Sequence, residues 1–198
     1  MDAAFDRLAR RLAARPAAEL DPAAFPGRAA VAIVLRPAPG APEVLLMRRT
    51  EHPGDVWSGH VSLPGGREEQ GDESLFATAV RETREEVGLD LVADGQLLGR
   101  LEPVPARARG KFLPLAIVPF VFARAGNDPL TLGAEAVAAF WFPLAGALAG
   151  AFSATMTPPT GEPGRVLPCW RYEGQVIWGL TFEMLRSLLR LLSPADPR

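Results

Sequence analysis

The sequence predicts an α/β fold in which helices cover both faces of a mixed β-sheet. Apolar runs of strand length alternate with a few stretches of helical periodicity, and segments rich in proline and glycine separate them. The 198 residues are enough for one well-buried domain and few for two. We therefore expect a single globular domain.

The first predicted elements are a helix and two strands. Residues 2–14 carry apolar side chains at helical spacing, and Pro16 ends that pattern. The apolar residues of this helix are Phe5, Leu8 and Leu12. The runs Ala29–Leu35 and Glu43–Arg49 are separated by residues 37–42, whose prolines and glycine continue neither a strand nor a helix. We expect two strands joined by a loop.

The second half of the chain predicts further strands and a closing helix. The strand candidates are Leu97–Leu101, Leu113–Ala123, Ala138–Phe142, Cys169–Tyr172 and Gln175–Trp178, the last two joined by a turn. The closing helix has an apolar stripe that consists of Phe182, Leu185, Leu189 and Leu192. Thr181 is its candidate N-cap, and Pro194 is expected to end it.

A glycine turn and a carboxylate-bearing helix form the most informative segment. The helix predicted to begin near Glu73 places three carboxylates on one side, namely Glu82, Glu85 and Glu86. Its opposite side carries Phe76, Val80, Thr83 and Val87. Such acids are usually a solvated face with ordinary ion pairs. The adjacent glycines, and the lack of enough basic charge in the same turns, favour a divalent metal instead.

Composition excludes several classes of partner. A formal net charge of -2 disfavours a nucleic-acid backbone, and a hydrophobic fraction of 48% disfavours disorder. Cys169 is the only cysteine, so an intramolecular disulfide and a thiolate zinc cluster are excluded. The most apolar run, Leu113–Ala123, is too short to span a bilayer, and the N-terminus lacks the features of a secretory signal. We expect a cytoplasmic protein that binds neither membrane nor nucleic acid.

The glycine turn and helix resemble the Nudix box, whose pattern is Gly, five residues, Glu, seven residues, then Arg-Glu-aliphatic-x-Glu-Glu-x-Gly-aliphatic. The second half is matched from Arg81 to Leu89, with Thr83 in the aliphatic place. Five residues after Gly66 lead to Asp72, whereas seven residues before Arg81 lead back to Glu73, so the loop carries one extra residue. Either acid can be the structural glutamate of the box.

The resemblance implies a Nudix α/β/α sandwich over residues 28–193, preceded by an N-terminal helix and linker at 1–27. It also implies Mg²⁺ or Mn²⁺ held by the main-chain carbonyl of Gly65 and by Glu82, Glu85 and Glu86. The residues to which it gives structural roles are Gly66, Asp72, Glu73, Arg81 and Gly88. Among them, Arg81 would pair with Asp72 or Glu73, Asp72 competes as an N-cap, and Gly88 would stop the helix.

The resemblance implies catalytic roles for Glu85, Glu86 and Glu135. Some family members use a glutamate from a loop beyond the box as general base, and Glu135 is the nearest counterpart here. Two alternatives stay open: Glu135 is a surface residue, or Glu85 polarises water through the metal. His60 is left out of the catalytic set, because a single histidine beside a turn is more often structural.

Substrate-binding candidates lie in three places. Arg49 matches an arginine that ends the strand before the box and can fork onto phosphate. Trp57 would stack on adenine or lie in the core. Arg107 and Arg109, with Lys111, form a basic loop that suits a 3′-phosphate or is simply solvated.

Segments outside the box look like the coenzyme A pyrophosphatase branch of the family. These segments are residues 43–49, 61–66 and 176–181. Trp57 stands where that branch tends to carry histidine, which is a departure from it.

The predicted activity is metal-dependent hydrolysis of a diphosphate linkage in a nucleoside-diphosphate derivative. Coenzyme A or its acyl esters are the leading substrates, giving 4′-phosphopantetheine or its acyl form and adenosine 3′,5′-bisphosphate. The alternatives are an ADP-ribose, nucleotide-sugar or dinucleotide pyrophosphatase and a catalytically silent ligand-sensing module. A homodimer is left open.

Overall fold

The structure is a computed structural model that describes residues 3–15, 17–21, 23–52, 57–108, 111–124, 126, 129–159 and 164–193. All structural statements below concern these residues. The predicted helix stops at Pro16 and Pro194 lie outside them.

The described chain forms the following helices and strands in order. They are α1 (Ala3–Ala13), β1 (Gly27–Arg36), β2 (Glu43–Arg49), β3 (Val61–Ser62), β4 (Gly65–Arg67), α2 (Leu75–Val87), β5 (Gly95–Arg100), β6 (Val104–Ala108), β7 (Lys111–Arg124), β8 (Ala136–Pro143), α3 (Leu144–Leu148), β9 (Ser153–Met156), β10 (Leu167–Tyr172), β11 (Gln175–Ile177) and α4 (Gly179–Leu192).

The larger sheet is mixed and has eight strands, with β3, β2, β1, β7 and β5 in its main path. Strands β1 and β7 are parallel, while β2 pairs with β1, β3 and β8 in antiparallel fashion. One strand changes partner along its length: β1 pairs with β4 at Ala29–Val31 and with β2 at Leu35 and Arg36. Ala29 and Val31, which pair with β4, also line a pocket.

Both faces of the sheet are buried, as expected for an α/β/α arrangement. Alternate residues of β1 point to opposite faces, so Ile33 packs with α1 and α4 whereas Val34 packs with α2. Helix α1 belongs to the first of these two cores, and Arg11 donates hydrogen bonds to the carbonyls of Leu191 and Ser193 beside the end of α4. The predicted mixed sheet with helices on both faces is confirmed. The proposed division at residue 27 stays a prediction.

A three-stranded antiparallel sheet of β9, β10 and β11 lies before α4. The turn between β10 and β11 has positive φ at Glu173 (46°) and Gly174 (77°), as a two-residue hairpin turn requires. The predicted turn is therefore confirmed. Within the described ranges, no helix is long and apolar enough to cross a bilayer.

The predicted elements are present, with shifted ends in most cases. The strand predicted at Leu97–Leu101 begins at Gly95, and the one predicted at Ala138–Phe142 begins at Ala136. Thr181 is not the cap of α4, because it lies inside the helix and its hydroxyl donates to the carbonyl of Val61 at 3.1 Å. The elements absent from the sequence analysis are β3, β4, β6, α3 and β9. They are short, and a run of two to five residues carries little periodicity.

Candidate active site

Helix α2 begins and ends at specific caps. Its N-cap is Ser74, whose hydroxyl accepts from the N–H of Ala77 at 3.2 Å, so the interpretation of Asp72 as N-cap was wrong. Gly88 ends the helix in the left-handed region with φ 74°, as predicted. A Cβ there would lie 2.8 Å from the Cβ of Thr131, so a larger residue would be both strained and crowded.

Arg81 braces the loop before α2 against the helix through Asp72. Its Nε and Nη2 each lie 3.0 Å from one oxygen of the Asp72 carboxylate, and Nη2 also donates to the carbonyl of Arg67 at 3.2 Å. These hydrogen bonds from Arg81 hold the pKa of Asp72 well below its usual range and raise the pKa of Arg81. Glu73 is exposed. The sequence left open whether Asp72 or Glu73 pairs with Arg81, and in the structure the partner is Asp72.

Asp72 also fixes its own loop. Its carboxylate accepts from the N–H of Glu69 at 3.0 Å and from the hydroxyl of Thr78 at 2.9 Å. Because Thr78 is fully buried in α2, the carboxylate joins the extra-length glycine loop to the helix core. Asp72 thus holds the lengthened loop through its contacts with Arg81, Glu69 and Thr78.

The carboxylate face of α2 is graded in burial. The side chain of Glu85 is 59% exposed, that of Glu82 14%, and that of Glu86 only 2%. Arg81 Nη1 lies 3.0 Å from Glu82 Oε1 and 3.1 Å from Glu85 Oε2. The single guanidinium of Arg81 is thus shared by Glu82 and Glu85, so the expectation that the same turns lack enough basic charge to neutralise all three carboxylates stays in place.

The glycine turn approaches this face more closely than any other residue type allows. The N–H of Gly65 donates to Glu86 Oε2 at 2.8 Å. Gly65 has φ 147°, and a Cβ on it would lie 2.3 Å from the carbonyl oxygen of Ala30 in β1. A Cβ on Gly66 would lie 2.3 Å from Glu82 Oε1. Gly65 is therefore required by its contact with the backbone of β1, whereas a side chain at Gly66 would have to displace the carboxylate of Glu82.

Burial disfavours the charged form of the acids under the turn. It raises the pKa of Glu86 to about 8, against the opposing hydrogen bond from the N–H of Gly65, and burial also raises the pKa of Glu82. Among the described residues, buried Glu86 Oε1 has no hydrogen-bond partner, and Arg49 Nη1 lies 3.6 Å from it. A buried, unsatisfied carboxylate oxygen beside further carboxylates is a donor set that suits a hard divalent cation.

The carboxylates of α2 do not surround a common point in this structure, however. In the described part of the chain, no three carboxylate, histidine or cysteine side chains are grouped closely enough to hold a metal ion. Arg81 explains this, since its guanidinium stands between Glu82 and Glu85. The donors fit a cation in kind, and Glu85 would have to leave Arg81 to join them.

Arg49, at the end of β2, faces two acids. Its Nη1 lies 3.6 Å from Glu86 Oε1 and its Nη2 lies 3.4 Å from Glu135 Oε2. Arg48, its neighbour, is exposed, and the pairing of β2 with β8 shifts register between these two residues, so the opposite orientation of Arg48 stays a prediction. The structure thus brings Glu135 beside the helix that carries the other catalytic candidates.

A pocket of about 740 Å³ opens next to these residues. Seven of the fourteen predicted site residues line it, namely Arg49, Trp57, Gly65, Gly66, Glu82, Arg107 and Glu135, whereas Glu85 and Glu86 lie outside its lining. Trp57 also packs against a small apolar cluster of Ala29, Ala106 and Leu115, so it is both a core and a pocket residue. The wall opposite α2 comes from β7 and the start of α4.

The predicted basic loop is only partly available for an anion. Arg107 lies 3.8 Å from the carboxylate of Glu183 in α4 and 4.4 Å from the ring of Phe112. Arg109 lies outside the described residues. The solvated and the phosphate-binding interpretations of Arg107 both stay predictions: its side chain is 46% exposed, and an acid of the same pocket faces it.

Several pocket residues were missed by the sequence analysis. Trp178 meets His60 edge to face, with ring centroids 4.8 Å apart. Arg67, Arg165 and Glu183 also line the pocket. The sequence placed Trp178 just before the closing helix but gave no sign that it reaches the pocket. The three charged residues look like ordinary surface positions in the sequence.

Residues 26–160 match the family model described as NUDIX domain. This chain belongs to the Nudix hydrolase family. The uncharacterized Nudix hydrolase NudL of Yersinia pestis (strain Pestoides F) is 34% identical over 165 residues, covering 82% of this chain and 77% of that protein. The family is an enzyme family, and Nudix enzymes generally use divalent metal ions.

Solved structures support the fold. A Nudix hydrolase from M. smegmatis, RenU, superposes with a TM-score of 0.52 at 17% identity and covers 85% of this chain and 89% of its own. The binary complex of the C. elegans Ap4A hydrolase gives a TM-score of 0.51 at 23% identity, covering 62% of this chain and 84% of that one. At these identities the likeness concerns the Nudix fold alone.

Proposed function

We propose that this protein is a Mg²⁺- or Mn²⁺-dependent pyrophosphohydrolase whose leading substrates are coenzyme A and its acyl esters. It cleaves the diphosphate to give 4′-phosphopantetheine, or its acyl form, and adenosine 3′,5′-bisphosphate. One observation carries the proposal: buried Glu86 and largely buried Glu82 lie against the Gly65–Gly66 turn, and this turn and Glu82 line a pocket of about 740 Å³. That volume is in the range of small-molecule sites.

Glu82, Glu85 and Glu86 would hold the cations, together with the main-chain carbonyl of Gly65. When bound, a divalent cation supplies charge neutralisation at the diphosphate and lowers the pKa of a coordinated water. Glu86 is preset for this role, because its buried Oε1 has no hydrogen-bond partner in the described part of the chain while Oε2 is fixed by the N–H of Gly65. Exposed Glu85 can move between Arg81 and the site.

Glu135 is the candidate general base. Its carboxylate lines the pocket on the side of Glu86 and is half open to solvent, so a water molecule can reach it. A base in this position would take a proton from the attacking water while the metal-binding face stabilises the charge that develops on phosphorus.

The remaining pocket wall suits a nucleotide. Trp57 and Trp178 offer aromatic surface, and Arg67, Arg107 and Arg165 offer positive charge. Aromatic faces stack on bases, and guanidinium groups bind phosphate oxygens. The sole cysteine, Cys169, is a buried free thiol, which agrees with the cytoplasmic location that we propose.

A second candidate function is favoured by one specific contact. Glu183 lies 3.8 Å from Arg107, and a carboxylate in that position opposes an additional phosphate on the substrate. An ADP-ribose, a nucleotide sugar or a dinucleotide has no 3′-phosphate to place there. Hydrolysis of such a compound would use the same metal-binding face.

A substrate panel tests the proposal. The full chain would be incubated with Mg²⁺ or Mn²⁺ and with coenzyme A, acetyl-coenzyme A, ADP-ribose, a nucleotide sugar and a diadenosine polyphosphate, and products would be identified by mass. We expect metal-dependent release of adenosine 3′,5′-bisphosphate from the two coenzymes. Faster cleavage of the others would establish the second candidate, and binding without cleavage of any compound would establish the ligand-sensing alternative.

A further inference from the structure

We propose that Arg49 is a positioning residue, which holds the carboxylate of Glu135 at the pocket edge beside Glu86, and that it is not a ligand of the substrate phosphate. The inference rests on the proposed function, because Glu135 is the base that Arg49 would orient. It reverses the role that the sequence alone favoured for Arg49.

The direction of the guanidinium is the first observation. One terminal nitrogen lies 3.6 Å from Glu86 Oε1 and the other lies 3.4 Å from Glu135 Oε2. A fork that binds phosphate would present both terminal nitrogens to the same anion. Here each terminal nitrogen faces a different protein carboxylate.

The freedom of the Glu135 side chain is the second observation. It is 61% exposed and its long side chain has many rotamers, so its position depends on what its carboxylate contacts. Glu86, in contrast, is fixed by burial and by the N–H of Gly65. Arg49 therefore connects a fixed carboxylate to a movable one.

The backbone of the Glu135 loop is the third observation, because it is anchored without Arg49's side chain. Thr50 donates from its N–H to the carbonyl of Glu135 and from its hydroxyl to the carbonyl of Ala134, each at 2.9 Å. The N–H of Gly133 donates to the carbonyl of Glu86 at 2.9 Å. Replacing the guanidinium should thus release the carboxylate of Glu135 and leave the loop in place.

The two roles for Arg49 predict different kinetics. A lost phosphate contact weakens substrate binding and raises KM, whereas a displaced base lowers kcat with little change in KM. Misplacement of a reacting group by about 1 Å can cost a hundredfold in rate.

The experiment is a double-mutant cycle on the full chain with Mg²⁺, comparing Arg49→Gln, Glu135→Gln and the double variant. We expect Arg49→Gln to lower kcat by about tenfold to a hundredfold with KM changed less than about threefold. The double variant should be no slower than Glu135→Gln alone, because a base that is absent cannot be misplaced. Arg49→Lys, which keeps one donor, should recover part of kcat.

Three results would overturn the proposal: a rise in KM at unchanged kcat, additive losses in the double variant, or full activity in Glu135→Gln. The unfolding midpoint of each variant is the structural control, and we expect little change.

Failure of the proposed function would be seen separately, as a wild-type chain that cleaves no compound of the panel. In that case urea unfolding of the same four proteins still measures the Arg49–Glu135 coupling. We expect the combined change in the unfolding constant to differ from the product of the single changes by about twofold to fivefold, as for other partly exposed ion pairs.

Discussion

The two ends of the pocket differ in how their charges are arranged. At the α2 end, Glu86 is buried and accepts a hydrogen bond from the N–H of Gly65, and the backbone of Gly66 lies close to the carboxylate of Glu82. At the α4 end, Arg107 and Glu183 are half exposed, and their charged groups lie 3.8 Å apart. The first arrangement suits catalysis, which requires reacting groups in fixed positions. In the second, a ligand can separate the half-exposed ion pair without disturbing the core.

The largest effect is expected at the α2 end, from Glu86→Gln or Glu85→Gln. Each substitution removes a carboxylate from the proposed metal-binding face, so turnover should fall by about a hundredfold or more. In Glu86→Gln the side-chain amide can still accept from the N–H of Gly65, so the fold should be kept. The measurements are kcat at saturating Mg²⁺ and the unfolding midpoint.

Glu73→Gln is the matched control, because Glu73 is an exposed acid of the same segment and should leave turnover unchanged. Near wild-type kcat in both Glu85→Gln and Glu86→Gln would show that these carboxylates do not support turnover.

The next largest effect concerns stability at the same end. Asp72→Asn removes the charge that pairs with Arg81 and one acceptor of a three-way network, so unfolding free energy should fall by about 1.5–3 kcal/mol. Glu73→Gln should change it by less than about 0.5 kcal/mol. Urea unfolding of both variants measures the difference. The opposite ranking would make Glu73 the acid that supports the loop.

The Asp72–Arg81 pair should also give a defined pH dependence. The folded-state pKa of Asp72 is lowered, so its stabilisation is complete above the unfolded-state value of about 3.9 and is lost as pH falls below it. Wild type and Asp72→Asn should therefore differ in unfolding midpoint at pH 6 and approach each other towards pH 3. A constant difference over that range would show that the charge of Asp72 is not what stabilises the loop.

The two ends also differ in how far the sequence could predict them. At the α2 end, helical spacing alone placed Glu82, Glu85 and Glu86 on one face, because all three lie in a single element. The choice between Asp72 and Glu73 could not be made, since one inserted residue shifts the count and only the folded loop shows which acid reaches Arg81.

At the α4 end, the sequence could not bring the parts together. Arg107 and Glu183 are 76 positions apart, and each looks like ordinary surface charge in its own segment. Strand β6, which carries Arg107, contains Pro105 and is short, so its strand character was not predicted. Residues that meet only through tertiary structure leave no local pattern to detect.

The smallest effect is expected at the α4 end and concerns discrimination between coenzyme A and 3′-dephospho-coenzyme A. Glu183 competes with a 3′-phosphate for Arg107, so the wild-type preference for coenzyme A in kcat/KM should be about tenfold or less. Glu183→Gln frees Arg107 and should raise that preference by about threefold to tenfold, while Arg107→Ala should abolish it. The Arg107→Ala/Glu183→Gln double variant should match Arg107→Ala, because Glu183 acts through the guanidinium. If Glu183→Gln leaves the ratio unchanged while Arg107→Ala lowers it, the acid plays no part in selection. If neither variant alters the ratio, the 3′-phosphate lies away from this end of the pocket.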